Sequence, residues 1–172
     1  VFEINDACSL YIMPVSSGSS SKPCVNWRKM RIGMAALSCS KYTVILSGET
    51  EAELISQIWD ELDMFERVVT VHGTVFDIPF LLYRSRLNGV APSLWIDCLN
   101  NSASHYDLSN EVHETNCLMP QLYNALLNDD MRRIFVQADA ASYISRHTER
   151  QARRIWQVYC SLRIPAALAC TV

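Results

Sequence analysis

The run Val68-Val69-Thr70-Val71-His72-Gly73-Thr74-Val75-Phe76-Asp77-Ile78-Pro79-Phe80-Leu81-Leu82-Tyr83-Arg84 decides how this chain is read. Its first four residues form an apolar, β-branched stretch typical of a buried strand. His72-Gly73 then turns the chain. Asp77 reads as the N-cap of a helix in which Pro79 falls within the first turn, where its missing N–H does no harm. Asn88-Gly89 closes that helix. A carboxylate is thereby delivered to the carboxyl edge of a strand, where α/β folds place their chemistry.

The elements around this run extend the pattern. Upstream, Thr50-Glu51-Ala52-Glu53 fits a capping box, and Leu54, Ile55, Ile58, Trp59, Leu62 and Phe65 follow at helical spacing as a core-facing stripe. Arg31 to Leu37 and Tyr42 to Leu46 read as two strands joined across Ser38 to Lys41, and Val1 to Ile4 as a short first strand. Ser16 to Ser21 is low in complexity and reads as a loop. Downstream, a short strand is expected at Leu94 to Cys98 and a short helix at Pro120 to Leu127. A longer helix is expected from about Asp130 to Leu162. On it Ile144, Thr148, Ala152, Ile155, Tyr159 and Leu162 share one face, while Arg146, Arg150 and Arg153 share another. The progression predicts an α/β fold, and 172 residues are most simply one domain spanning the chain.

Composition narrows the class. Apolar residues make up 49% and charged residues 19%, the balance of an ordinary globular protein. No apolar run approaches the ~20 residues of a membrane helix, so no spanning segment is expected. The chain opens on Val1-Phe2 without a signal-peptide pattern, as expected of a chain trimmed near its first strand. Its seven cysteines are an odd, scattered set with no Cys-x-x-Cys pair. Cys39 and Cys160 sit in apolar surroundings typical of buried free thiols, which points to an intracellular, reducing location. The net charge of −3 hides an asymmetry. From Met131 onward seven arginines face only Asp139 and Glu149, whereas the remainder carries eight basic and sixteen acidic residues. An anionic partner near the C-terminal helix fits that distribution.

Three carboxylates on three elements, Glu3, Asp77 and Asp139, are candidates to converge on divalent cations, which as magnesium prefer hard oxygen ligands. This arrangement resembles the DEDD 3′–5′ exonuclease superfamily of ribonuclease H-like fold. Within it, the chain looks most like the predicted exonucleases related to the proofreading domain of family B DNA polymerases. The family's first motif, Asp-x-Glu on the first strand, is matched by Glu3-Ile4-Asn5. Its second, Asn-Gly-x-x-Phe-Asp-x-Pro, is matched by His72 to Pro79, and its downstream Leu-x-x-Arg by Leu81 to Arg84. Its last, Tyr-x-x-x-Asp, is matched by Phe135 to Asp139, with Gln121-Leu122-Tyr123 and Arg132-Arg133-Ile134 leading in. His105-Tyr106-Asp107-Leu108 resembles a His-x-Asp-Leu segment lying between the last two motifs.

The resemblance implies a ribonuclease H-like mixed sheet flanked by helices, a magnesium or manganese two-metal site held by Glu3, Asp77 and Asp139, and single-stranded nucleic-acid ends as substrate. Asn5, His72, Phe76, Arg84 and Phe135 would contact that substrate. Four departures bear on activity. Glu3 replaces an aspartate, Asn5 replaces a glutamate and loses a charge, His72 replaces an asparagine, and Phe135 lacks the hydroxyl of the tyrosine that helps position water. Two readings follow: a working exonuclease, and a catalytically inactive nuclease-fold module that binds nucleic acid or a protein partner. A third centres on Cys98, His105, His113 and Cys117, a two-Cys, two-His set whose gaps match no standard zinc-finger spacing.

Overall fold

A computed structural model describes residues 6–16, 27–93, 104–110 and 141–163. A five-stranded mixed sheet is formed among them, in the order β3-β2-β1-β4-β5. Its strands are β1 (Ala7–Ser16), β2 (Met30–Ser38), β3 (Thr43–Leu46), β4 (Arg67–Thr70) and β5 (His105–Asp107). The expected hairpin is present: β2 and β3 pair antiparallel, from Ala35 opposite Leu46 to Ser38 opposite Thr43. β1 pairs antiparallel with β2 on one side and parallel with β4 on the other, and β4 pairs parallel with β5.

The strand expected at Val1 to Ile4 lies outside the described residues; within them the central strand is β1, Ala7–Ser16, a stretch the sequence reading left unassigned. That stretch escapes pattern reading because Pro14 interrupts it. The structure accommodates the proline at a register shift between Met13 and Pro14, where a ladder hydrogen bond is already broken. The strand and short helix expected at Leu94 to Cys98 and Pro120 to Leu127 also lie outside the described residues.

Helix α1 (Glu51–Leu62) starts as its capping box predicts, the Thr50 hydroxyl accepting the Glu53 amide at 3.2 Å. The Glu53 carboxylate reaches one residue further back than expected, to the Glu49 amide at 3.0 Å. Leu54, Ile55, Ile58, Trp59 and Leu62 are buried. They pack with Cys8, Leu10 and Ile12 of β1 and with Ile78, Phe80 and Leu81 of helix α2 (Asp77–Asn88). Gly89 ends α2 with a left-handed φ of 68°, a conformation glycine adopts without strain.

The opposite face of the sheet is covered by helix α3 (Ala141–Arg163). Strand alternation sends Ala7 and Tyr11 to this side, where they meet Ile155, Trp156, Val158 and Tyr159. Ser9 lies on the same face, and its hydroxyl donates to the Ala152 carbonyl at 2.7 Å, a contact only a small residue permits. The expected face of this helix is borne out at Thr148, Ala152, Ile155 and Tyr159, all buried. Among the described residues no helix is long and apolar enough to cross a membrane. Cys8 and Cys39 are buried free thiols and Cys160 a half-buried one.

Candidate functional site

The parallel register between β1 and β4 creates the site. Pairing ends at Ser9 opposite Val69, and β4 itself ends at Thr70 while β1 continues. The lane beside β1 is thus vacated, and its next inward amide needs an acceptor. Asp77 supplies it: Oδ1 accepts the Ile12 amide at 3.3 Å. The sequence suggests Asp77 as the helix cap, but that position belongs to Phe76, and Asp77 is the first helical residue with its carboxylate turned to β1. Only 6% of Asp77 is exposed. Burial pushes its carboxyl up to about 7, the Asp107 charge pushes in the same direction, and the Ile12 hydrogen bond opposes both.

The turn that leads to Asp77 is tightly constrained. His72 has a left-handed φ of 59°, a conformation in which asparagine, aspartate and histidine are enriched among non-glycine residues. Phe76 donates its amide to the His72 carbonyl at 2.9 Å, and Ile78 to the Gly73 carbonyl at 3.0 Å. A Cβ at Gly73 would overlap the Thr70 side chain, so the turn needs a glycine for close approach to the strand it has just left. Thr70 is itself held, its hydroxyl 2.8 Å from Nε2 of His105.

Asp107, at the end of β5, organises the same turn. Oδ1 accepts the His72 amide at 2.9 Å, the Ser109 amide at 3.0 Å and the Ser109 hydroxyl at 2.7 Å. Oδ2 accepts the Thr74 amide at 2.9 Å and the Thr74 hydroxyl. Burial alone would raise this carboxyl, but the bonds from Thr74 and Ser109 hold it below the ordinary carboxylate range. Two neighbouring aspartates are thus driven apart. Asp107 is a fully engaged anion that fixes the turn, and Asp77 is a carboxyl poised between a proton and a positive partner.

The remaining residues singled out in the sequence are distributed as follows. Glu3, Asn5, Phe135 and Asp139 lie outside the described residues, as do Cys98, His113 and Cys117. His72 is exposed in the turn that leads to Asp77. Phe76 is half-buried, stacks on Phe80 at a centroid separation of 5.2 Å and packs against the core around α1 and α2. Arg84 pairs with Glu51 on α1, and Glu51 also accepts the Ile32 amide at 2.7 Å and the Asn88 side chain at 3.2 Å. Its guanidinium therefore joins α2 to α1 and β2. His105 is buried against Thr70. Among the described residues no three His, Cys, Asp or Glu side chains are grouped to hold a metal.

Sequence reasoning missed two features of the site. Asp107 sits in a segment that resembles the family's, but nothing in a linear pattern joins it to His72, 35 residues earlier. The second is an aromatic cluster on the α3 side. Tyr11, the residue before Ile12, brings its hydroxyl to 3.3 Å from Nε2 of His147, and Tyr143 stacks on the same imidazole at a centroid separation of 6.3 Å.

A mixed sheet with helices on both faces and a carboxylate at the head of α2 gives the class: a ribonuclease H-like α/β domain. The family B DNA polymerase from the hyperthermophilic archaeon Pyrobaculum calidifontis superposes on 88% of this chain with a TM-score of 0.53 and 16% identity. The chain spans 24% of that polymerase's length. Residues 28–126 match the predicted 3′–5′ exonucleases related to the exonuclease domain of PolB, and the chain belongs to that family. No curated protein matches it.

Proposed function

We propose that the domain is a metal-dependent 3′–5′ exonuclease acting on single-stranded nucleic-acid ends. The state of Asp77 carries this reading. A carboxyl buried in the lane beside β1, with a second aspartate nearby and an affinity for protons raised to about 7, gains most from a cation that replaces the proton. Asp77 fits magnesium or manganese as one hard-oxygen ligand; Asp107 does not, because both its oxygens are already engaged. Glu3 and Asp139 are the proposed companion ligands, carried over from the family's motifs. Such a cation would activate water and stabilise the leaving oxygen of a phosphodiester. The protein's own part is to fix Asp77 through the Ile12 amide and to brace the turn before it through Asp107. His72, exposed in the turn before Asp77, would contact the terminal nucleotide, with Asn5 and Phe135 as further contacts.

One observation favours a second reading. The β1 residues on either side of Ile12 are Tyr11 and Met13, so the stretch of strand nearest Asp77 presents no carboxylate. A nuclease fold that binds nucleic acid without cutting it would look this way.

Digestion of labelled single-stranded DNA and RNA with magnesium or manganese separates the two. Run beside an Asp77→Asn, Asp139→Asn double variant, stepwise shortening from the 3′ end that disappears in the variant is expected of the exonuclease. Equal shortening by both proteins, or none by either, would discard it in favour of the non-cutting module.

A further inference from the structure

The outer face of α3 is a strip of positive charge. Arg146, Arg150 and Arg154 recur at intervals of four residues, about 6 Å apart along the helix axis, with exposed Arg153 and Gln157 alongside. Arg153 is paired with Glu149 at 2.7 Å. Among the described residues no carboxylate pairs with Arg146, Arg150 or Arg154. At the head of the strip stands Tyr143, 50% exposed and stacked on His147. His147 in turn meets Tyr11, whose next residue, Ile12, is bonded to Asp77. A chain of contacts therefore links the aromatic end of the strip, through Tyr11 and Ile12, to Asp77.

We propose that this face of α3 is a single-strand track, in which Arg146, Arg150 and Arg154 hold successive phosphates and the Tyr143–His147 pair stacks an unpaired base. The track rests on the nucleic-acid reading given above and adds to it the surface that guides the strand toward Asp77. Three considerations choose this occupant. A row of guanidiniums that no carboxylate among the described residues pairs with is complementary to a polyanion. An exposed tyrosine backed by a half-buried imidazole at its end offers a stacking platform, which an unpaired base can use and a base-paired one cannot. The apolar side of α3 is spent on the sheet, through Ala152, Ile155, Val158 and Tyr159, so the helix has no face left to enter a lipid surface.

The test is binding of a fluorescent oligothymidylate of about 12 nucleotides, within the range of known single-strand sites, measured by anisotropy over a salt series with a chelator present. Each phosphate contact contributes about 0.7 to the slope of log K against log salt. Arg146→Ala, Arg150→Ala, Arg154→Ala is therefore expected to flatten the slope by about 2, so that raising salt fourfold weakens the wild type about twentyfold more than the variant. Arg150→Ala alone should flatten it by about 0.7, and Tyr143→Ala should weaken binding about fivefold or more with the slope unchanged. Arg31→Ala, Arg86→Ala, which removes exposed charge elsewhere, should leave the slope as it is.

An unchanged slope in the triple variant overturns the track. So does equal wild-type affinity for a blunt duplex combined with no effect of Tyr143→Ala, since the face would then read charge alone. Absence of oligonucleotide binding by the wild type overturns it as well and leaves the arginine strip to an acidic protein. Because the chelator removes cleavage from the measurement, an active exonuclease with an unaltered slope in the triple variant would keep the enzyme and discard the track.

Discussion

Replacing Asp77 by asparagine should make this protein more stable in neutral and alkaline solution. The carboxyl titrates near 3.8 when free in the unfolded chain and at about 7 in the folded one. Below the first value it is protonated in both states and imposes nothing. Between the two, only the unfolded chain ionises, and stability falls by about 1.4 kcal/mol for each pH step. Above both, the folded state holds a buried charge at a cost of about 4 kcal/mol, a large share of the 5–15 kcal/mol typical of a domain. Asparagine keeps an oxygen for the Ile12 amide and removes the charge. Urea denaturation with chelator, from pH 4 to pH 8.5, should therefore show the two proteins nearly alike at the acid end. The variant should pull ahead by about 4 kcal/mol at the alkaline end. The Asp107 contribution works the other way, being present above its unfolded pKa and lost as pH falls, but it is common to both proteins. Manganese should then narrow the gap by binding the folded wild type and not the variant. A difference that does not change with pH, or a variant less stable throughout, would refute the reasoning.

Two further substitutions probe what holds the site in place. Asp107→Ala leaves the amides of His72 and Thr74 without their acceptor and should destabilise the fold by about 3 kcal/mol. Hydrogen exchange at those two amides should rise well above that of β4, and unchanged protection there would show that Asp107 does not brace the turn. Arg84→Ala strands the Glu51 carboxylate, whose affinity for protons is otherwise lowered by Arg84, Ile32 and Asn88 against the effect of burial. It should cost about 3 kcal/mol, and Glu51→Gln in the same chain should recover much of that. An additive double variant would count against a coupled pair.

The linear chain carries the local physics of this protein and little of its long-range geometry. Its capping box, its apolar stripe on α1, its hairpin from β2 to β3 and the buried face of α3 are all periodicities set by neighbouring residues, so they are legible without coordinates. So is the turn from His72 to Asp77, because a left-handed residue, a close-packed glycine and a helix start leave their mark in adjacent positions. Two elements resisted. β1 hides its strand character behind Pro14, a residue tolerated only because the ladder shifts there. Arg84 reads as a motif residue but is committed to Glu51, 33 positions away.

The environment of Asp77 belongs to the tertiary structure alone. Its proximity to Asp107 and its bond to Ile12 depend on β4 ending before β1 does, a fact of sheet register with no signature in composition or spacing. The chain order determined that a carboxylate would stand at the head of α2. Only the packing of β1, β4 and β5 decided that it would be buried, charged at a cost and placed one residue from Tyr11, because burial and electrostatics arise from segments that meet in space.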